Sequence, residues 1–79
     1  AIFFSGNTVM ARLKVQFGTR LKLLRVERGI TQEQLADATD LTIESISNME
    51  RGLFGPRFDN LEKIAAALEL EVHQLFQFD

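Results

Sequence analysis

The sequence predicts an all-α fold, and three observations carry that prediction. Apolar residues recur at helical spacing in separate segments, first Phe17, Leu21 and Leu24, later Leu61, Ile64, Ala65 and Leu68. No segment alternates apolar and polar residues as a half-buried strand does. Helix-ending and helix-starting residues, Gly29, Thr31 with Gln34, and Thr42, punctuate the chain between the periodic stretches. Together they describe five helices and no sheet.

The first helix is expected over residues 14–28, where Phe17, Leu21 and Leu24 form the inward stripe. Gly29 then supplies the left-handed residue that commonly ends a helix. Thr31 and Gln34 form a capping box, the hydroxyl and the amide satisfying free backbone donors of the next helix, which runs from about Gln32 to Thr39. Asp40 occupies a tight turn that needs positive φ, a conformation Asp tolerates at a small cost. Thr42 is the N-cap of the third helix, which turns Ile46 and Met49 inward with Leu41, turns Ile43, Glu44, Ser47 and Asn48 outward, and ends at Arg51-Gly52. A loop from Leu53 to Phe58, closed by Pro56, leads to the fourth helix. Leu70 is a buried connector to a short fifth helix carrying Val72, Leu75 and Phe76, with Phe78 beyond it.

At 79 residues the chain holds one domain, read as residues 10–79, with residues 1–9 an artificial leader or an upstream N-terminal extension ahead of Met10. It contains no cysteine and a lone His73, so it has neither a disulfide framework nor a thiolate or two-histidine zinc site, and no cofactor is expected. A soluble protein of the reducing cytoplasm is the natural expectation, since no apolar run approaches the roughly 20 residues of a membrane helix. Net charge is −2 and the pI about 5.3, an unusual balance for a nucleic-acid partner. The distribution is uneven, however: residues 10–30 carry Arg12, Lys14, Arg20, Lys22, Arg25 and Arg28 against Glu27, while residues 58–79 are acidic.

Residues 31–52 are the most informative stretch, two short amphipathic helices separated by a tight polar turn. A helix turned sharply from its predecessor can present a polar face to a DNA major groove while its other face stays in the core. Leu24-Arg25, Gly29-Ile30-Thr31-Gln32, Gln34-Leu35-Ala36, Ile46, Met49-Glu50-Arg51-Gly52, Pro56 and Ile64-Ala65-Ala66-Ala67-Leu68 share their joint spacing with one family. From Phe17 to Phe76 the chain resembles the Cro and phage-repressor (XRE) class of lambda-repressor-like helix-turn-helix domains. A single small domain with a fifth helix also resembles the controller proteins of restriction-modification systems, which regulate their own operon as dimers.

The resemblance implies a role for each matching position. Thr42, Ile43, Glu44, Ser47 and Asn48 match base-facing positions: Asn48 suits adenine, Glu44 a cytosine amine, and Ile43 or the Thr42 methyl a thymine methyl. Thr42 can equally spend its hydroxyl on capping and a phosphate. Gln32 matches a glutamine that meets backbone phosphate beside the positive end of a helix, with Arg51 and Arg57 as further phosphate candidates. Arg20, Lys22 and Arg28 read as either phosphate contacts or an ordinary charged surface. Arg25 and Glu50 match a structural ion pair. Asp40 stands where the family usually has Gly, and Arg57 where it has a Ser or Thr cap, so Asp59 with Glu62 is the alternative cap of the fourth helix. Leu53, Phe54, Val72, Leu75, Phe76 and Phe78 supply apolar surface for a two-fold dimer, part of it sealing the core.

The expected function is therefore a homodimeric regulator of transcription bound to a pseudo-palindromic double-stranded DNA operator. Its rival is an antitoxin-like or coactivator-like interaction module, favoured by the acidic pI and by a recognition helix without Arg or Lys before Arg51. Catalysis is not expected, since Glu44, Glu50 and His73 do not converge and no phosphate loop or activated nucleophile is present. No small-molecule ligand and no membrane association are expected.

Overall fold

A computed structural model of the protein describes residues 6–78, with side chains from residue 12 onward. Four α-helices, α1 (Gly6–Glu27), α2 (Gln32–Thr39), α3 (Ile43–Glu50) and α4 (Phe58–Ala67), precede a 3₁₀ turn over Val72–Phe76. There is no strand among the described residues. Of the expected leader at 1–9, residues 1–5 lie outside the described residues.

The chain departs from the five expected helices at both ends. α1 starts at Gly6, ahead of the Lys14 that the apolar stripe marks; the good helix formers Met10, Ala11, Arg12 and Leu13 carry it back beyond the stripe. The fifth element is a 3₁₀ turn because five residues are too few for cooperative α-helical bonding. Gln74 closes it from both directions, its Oε1 accepting from Glu71 N at 2.8 Å and its backbone N–H donating to Glu71 O at 3.0 Å.

α2 and α3 begin as the sequence predicts. Thr31 Oγ1 accepts from Gln34 N at 3.0 Å while Gln34 Oε1 accepts from Thr31 N at 2.9 Å. Thr42 Oγ1 accepts from Ser45 N at 3.0 Å. α4 differs, since Arg57 occupies its N-cap position without a side-chain bond and Asp59 lies inside the first turn. Asp59 with Glu62 is thus not the cap; as an acidic residue in the first turn, Asp59 favours the helix only through its dipole.

All four helices end in the same way. A left-handed residue, Gly29, Asp40, Gly52 or Glu69, follows each one. The next residue, Ile30, Leu41, Leu53 or Leu70, then returns its N–H to a carbonyl five residues back, at 2.8 to 3.1 Å. Ile30, Leu41 and Leu70 pack on the core, which Phe17, Leu21, Leu24, Leu35, Ile46, Met49, Ile64, Leu68 and Leu75 fill. Leu53 stays exposed.

The position of α3 depends on how closely α1 approaches its last turn. A Cβ on Gly18 would overlap the carbonyl oxygen of Met49 and come within 2.8 Å of that of Glu50. Only glycine lets the two backbones meet there. One α1 residue earlier in the same stripe, Phe17 lies with its ring centroid 5.3 Å from that of Phe76, which seats the 3₁₀ turn against the helix.

A candidate nucleic-acid interface on the third helix

α3 divides cleanly by face. Ile46, Met49 and Glu50 are buried, whereas Thr42, Ile43 and Glu44 are exposed and Ser47 and Asn48 half-buried. Ile43 leaves 46% of its surface open, unusual for an isoleucine on an eight-residue helix whose other face is core. The exposed side thus begins with an apolar contact and a carboxylate and continues with two neutral polar side chains.

Thr42 is committed to the cap. Its hydroxyl accepts from Ser45 N and also donates to Ser45 Oγ at 3.0 Å, which leaves the methyl group for any contact outward. Asn48 Oδ1 accepts a long bond from Arg51 Nη1 at 3.4 Å, which brings the first cation after the helix beside its last outward polar residue. Arg57 is exposed and, with Lys63, borders a groove of about 500 Å³ whose other wall includes Ser45 and Met49 of α3. Lys63, which no motif or spacing singles out, therefore adds a second cation beside this helix.

Behind α3 lies a buried ionic clamp. Arg25 Nε donates to Glu50 Oε2 at 2.6 Å and Nη2 to Oε1 at 3.0 Å, a two-pronged pair that locks α1 to the last turn of α3. The third prong, Nη1, donates to Ile30 O at 2.8 Å, closing the end of α1. Hydrogen bonding to the Glu50 carboxylate raises the Arg25 pKa; burial opposes it and the carboxylate charge adds to it. Gln32 joins the clamp, its Nε2 donating to Glu50 Oε1 at 3.0 Å.

Arg20 and Arg28 are engaged elsewhere. Arg28 Nε donates to Leu68 O at 2.6 Å, capping a free carbonyl at the end of α4, and Arg20 Nε donates to Gln74 O at 3.1 Å in the 3₁₀ turn. Arg20 of α1 and Arg28 just beyond it thus each hold a backbone carbonyl of the C-terminal segment. Lys22 remains exposed.

The apolar residues expected at a dimer contact separate into two groups. Leu75 is fully buried and belongs to the core, because the 3₁₀ turn aims it between α1 and α4; it offers no surface to a partner. Val72 and Phe78 pack partly against the core, while Leu53, Phe54 and Phe76 are exposed. Phe58, 86% exposed at the start of α4, is a further open apolar residue that the helical spacing of the sequence did not mark. Among the described residues no helix is long and apolar enough to cross a membrane.

Comparison with known proteins places this arrangement. The helix-turn-helix family HTH_3 matches residues 21–75. The control protein C.MunI of a Mycoplasma species is 38% identical over 68 residues, which cover 85% of this chain and 92% of that protein. The immunity repressor of Bacillus phage phi105 is 38% identical over 55 residues, 70% of this chain but only 38% of the repressor, so the chain spans well under half of that longer relative. The crystal structure of the restriction-modification controller protein C.AhdI from Aeromonas hydrophila superposes with a TM-score of 0.77 at 38% identity, over 80% of this chain and 96% of that one. With the two capped helices, the left-handed turn between them and a family match across 21–75, the chain belongs to the HTH_3 (XRE-type) family of DNA-binding helix-turn-helix proteins.

Proposed function

We propose that the protein is a homodimeric transcriptional regulator that lays α3 in the major groove of each half of a pseudo-palindromic operator. The observation that carries this reading is the outward face of α3, exposed Ile43 and Glu44 with half-buried Ser47 and Asn48, on a helix whose opposite face, Ile46, Met49 and Glu50, is buried. Ile43 and the Thr42 methyl suit thymine methyls, Glu44 a cytosine amine and Asn48 an adenine edge, each good contact giving about 1 to 3 kcal/mol of discrimination. Gln32, Arg51 and Arg57 supply phosphate contacts that set register without reading sequence.

Dimerisation rests on the exposed apolar set Leu53, Phe54 and Phe76, with Leu53 the one residue of its kind among the four helix ends that finds no place in the core. Two recognition helices on a two-fold axis reach successive grooves about 34 Å apart. The alignment with the control protein C.MunI and the restriction-modification controller protein C.AhdI, over 92% and 96% of those chains, favours control of such an operon, including the protein's own gene.

The test is binding to DNA from immediately upstream of the gene, at two salt concentrations, beside a scrambled duplex. Selective binding of two protomers per site that weakens steeply with salt is the expected result. The acidic pI and the absence of Arg or Lys on α3 favour a second reading, an interaction module that binds another protein. Salt-insensitive behaviour, with no duplex selected from a random pool, would give that reading the preference.

A further inference from the structure

The bond between Gln32 and Glu50 joins the two elements that the proposed function sets against DNA. Glu50 closes the reading helix α3; Gln32 opens α2, where phosphate is expected. Glu50 Oε1 accepts from both Arg25 Nη2 and Gln32 Nε2, each at 3.0 Å. Gln32 is half-buried, and its second amide hydrogen and its carbonyl oxygen meet no acceptor or donor among the described residues. The backbone N–H groups of Gln32 and Glu33 in the same first turn are likewise uncommitted, since the Thr31 cap serves Gln34 and the Thr31 carbonyl serves Leu35. An unpaired carboxylate at this place would repel a phosphate; the two-pronged bond from Arg25 neutralises it.

From this geometry we infer that Glu50 is a positioning residue for DNA binding. It holds the Gln32 amide in the rotamer that donates to a backbone phosphate, and so ties the phosphate grip of α2 to the register of α3. A free glutamine loses side-chain entropy when a phosphate captures it, whereas here the ordering is complete before DNA arrives. The same carboxylate is anchored in the last turn of α3, so a phosphate seated on Gln32 is at a fixed distance from the base-facing side chains. The inference rests on the DNA-binding reading above.

The experiment uses a duplex that the wild-type protein selects from a random pool, carrying a neutral methylphosphonate at one backbone position at a time. One position per half-site is expected to weaken wild-type binding about tenfold. That penalty should vanish in Gln32→Ala. It should also fall below about threefold in the double variant Arg25→Met/Glu50→Met, which keeps Gln32 but removes its acceptor, and which substitutes a buried ion pair by apolar side chains of similar size. Penalties at other phosphates should persist. A folded double variant that retains the full penalty overturns the inference and leaves the DNA-binding reading standing; failure of the wild type to select any duplex overturns both.

If the double variant does not fold, the wild type alone decides by amide NMR in the absence of DNA. One Gln32 side-chain proton should exchange with water more slowly than those of Gln34, whose oxygen rather than nitrogen is engaged. Equal, fast exchange of both residues' amide protons overturns the inference.

Discussion

The seam between α1 and α3 and the turn between α2 and α3 hold the same helix from two sides by opposite means. In the seam the backbones touch at Gly18, and a buried guanidinium grips a buried carboxylate, so geometry there admits few alternatives. In the turn an exposed Asp40 adopts φ 58, a conformation that glycine takes more readily, and nothing packs over it. The difference indicates which side sets the angle of α3: the seam is rigid because it leaves no room, and the turn follows it.

The largest effect is therefore expected at Gly18. Gly18→Ala places a methyl group against two backbone carbonyls that cannot rotate away, and should destabilise the fold by about 5 kcal/mol or more, measured by urea unfolding. Gly55→Ala is the matched control, since a Cβ there meets nothing within 4 Å. Equal losses at the two glycines would mean that α1 can move off α3 and that the seam is not the rigid side.

Breaking the clamp should come next. Glu50→Leu strands the Arg25 guanidinium and leaves Gln32 without its acceptor, for an expected loss of about 3 to 5 kcal/mol. The pH dependence follows from the raised Arg25 pKa. A cation favoured in the folded state contributes stability that is fully present below its unfolded pKa and disappears only as pH rises through the higher folded value. Deprotonation of Arg25 should therefore remove nothing between neutral pH and about pH 10, and a melting series over that window that showed loss from this group would contradict the pairing.

At the turn the effects shrink. Thr42→Ala removes an acceptor for Ser45 N but leaves an exposed helix start that water can satisfy, so about 1 kcal/mol is expected from thermal melts. A loss as large as that of Glu50→Leu would place the cap on a par with the seam and erase the contrast between them.

What the sequence disclosed follows the same division. The caps at Thr31 and Thr42, the left-handed turn at Asp40, and the inward residues Ile46 and Met49 were legible because each depends on neighbours within a few positions. Gly18 was not: within a helix a glycine reads only as a weak helix former, and its reason lies 31 and 32 residues downstream at Met49 and Glu50. The same holds for Arg20 and Arg28, whose carbonyl partners Gln74 and Leu68 carry no side-chain signal at all. Glu69 escaped notice because its left-handed backbone, φ 59, is imposed by Leu70 turning back to Ala65 O rather than by any preference of glutamate. Of the proposed interface, the outward residues of α3 were legible by periodicity, while the bond from Gln32 to Glu50 required knowing how α2 and α3 cross.

The smallest effect gives the sharpest test of the comparison. Asp40→Gly relieves the cost of a left-handed non-glycine residue but gives the unfolded chain more freedom, and the two nearly offset. A net gain of about 0.5 kcal/mol is expected, seen as a rise in Tm of about 2 to 4 °C. Because the seam rather than the turn fixes α3, this variant should bind the selected duplex as tightly as the wild type. A changed affinity at unchanged or improved stability would show that Asp40 holds the reading helix in place, and that the exposed turn, rather than the buried seam, determines how α3 meets DNA.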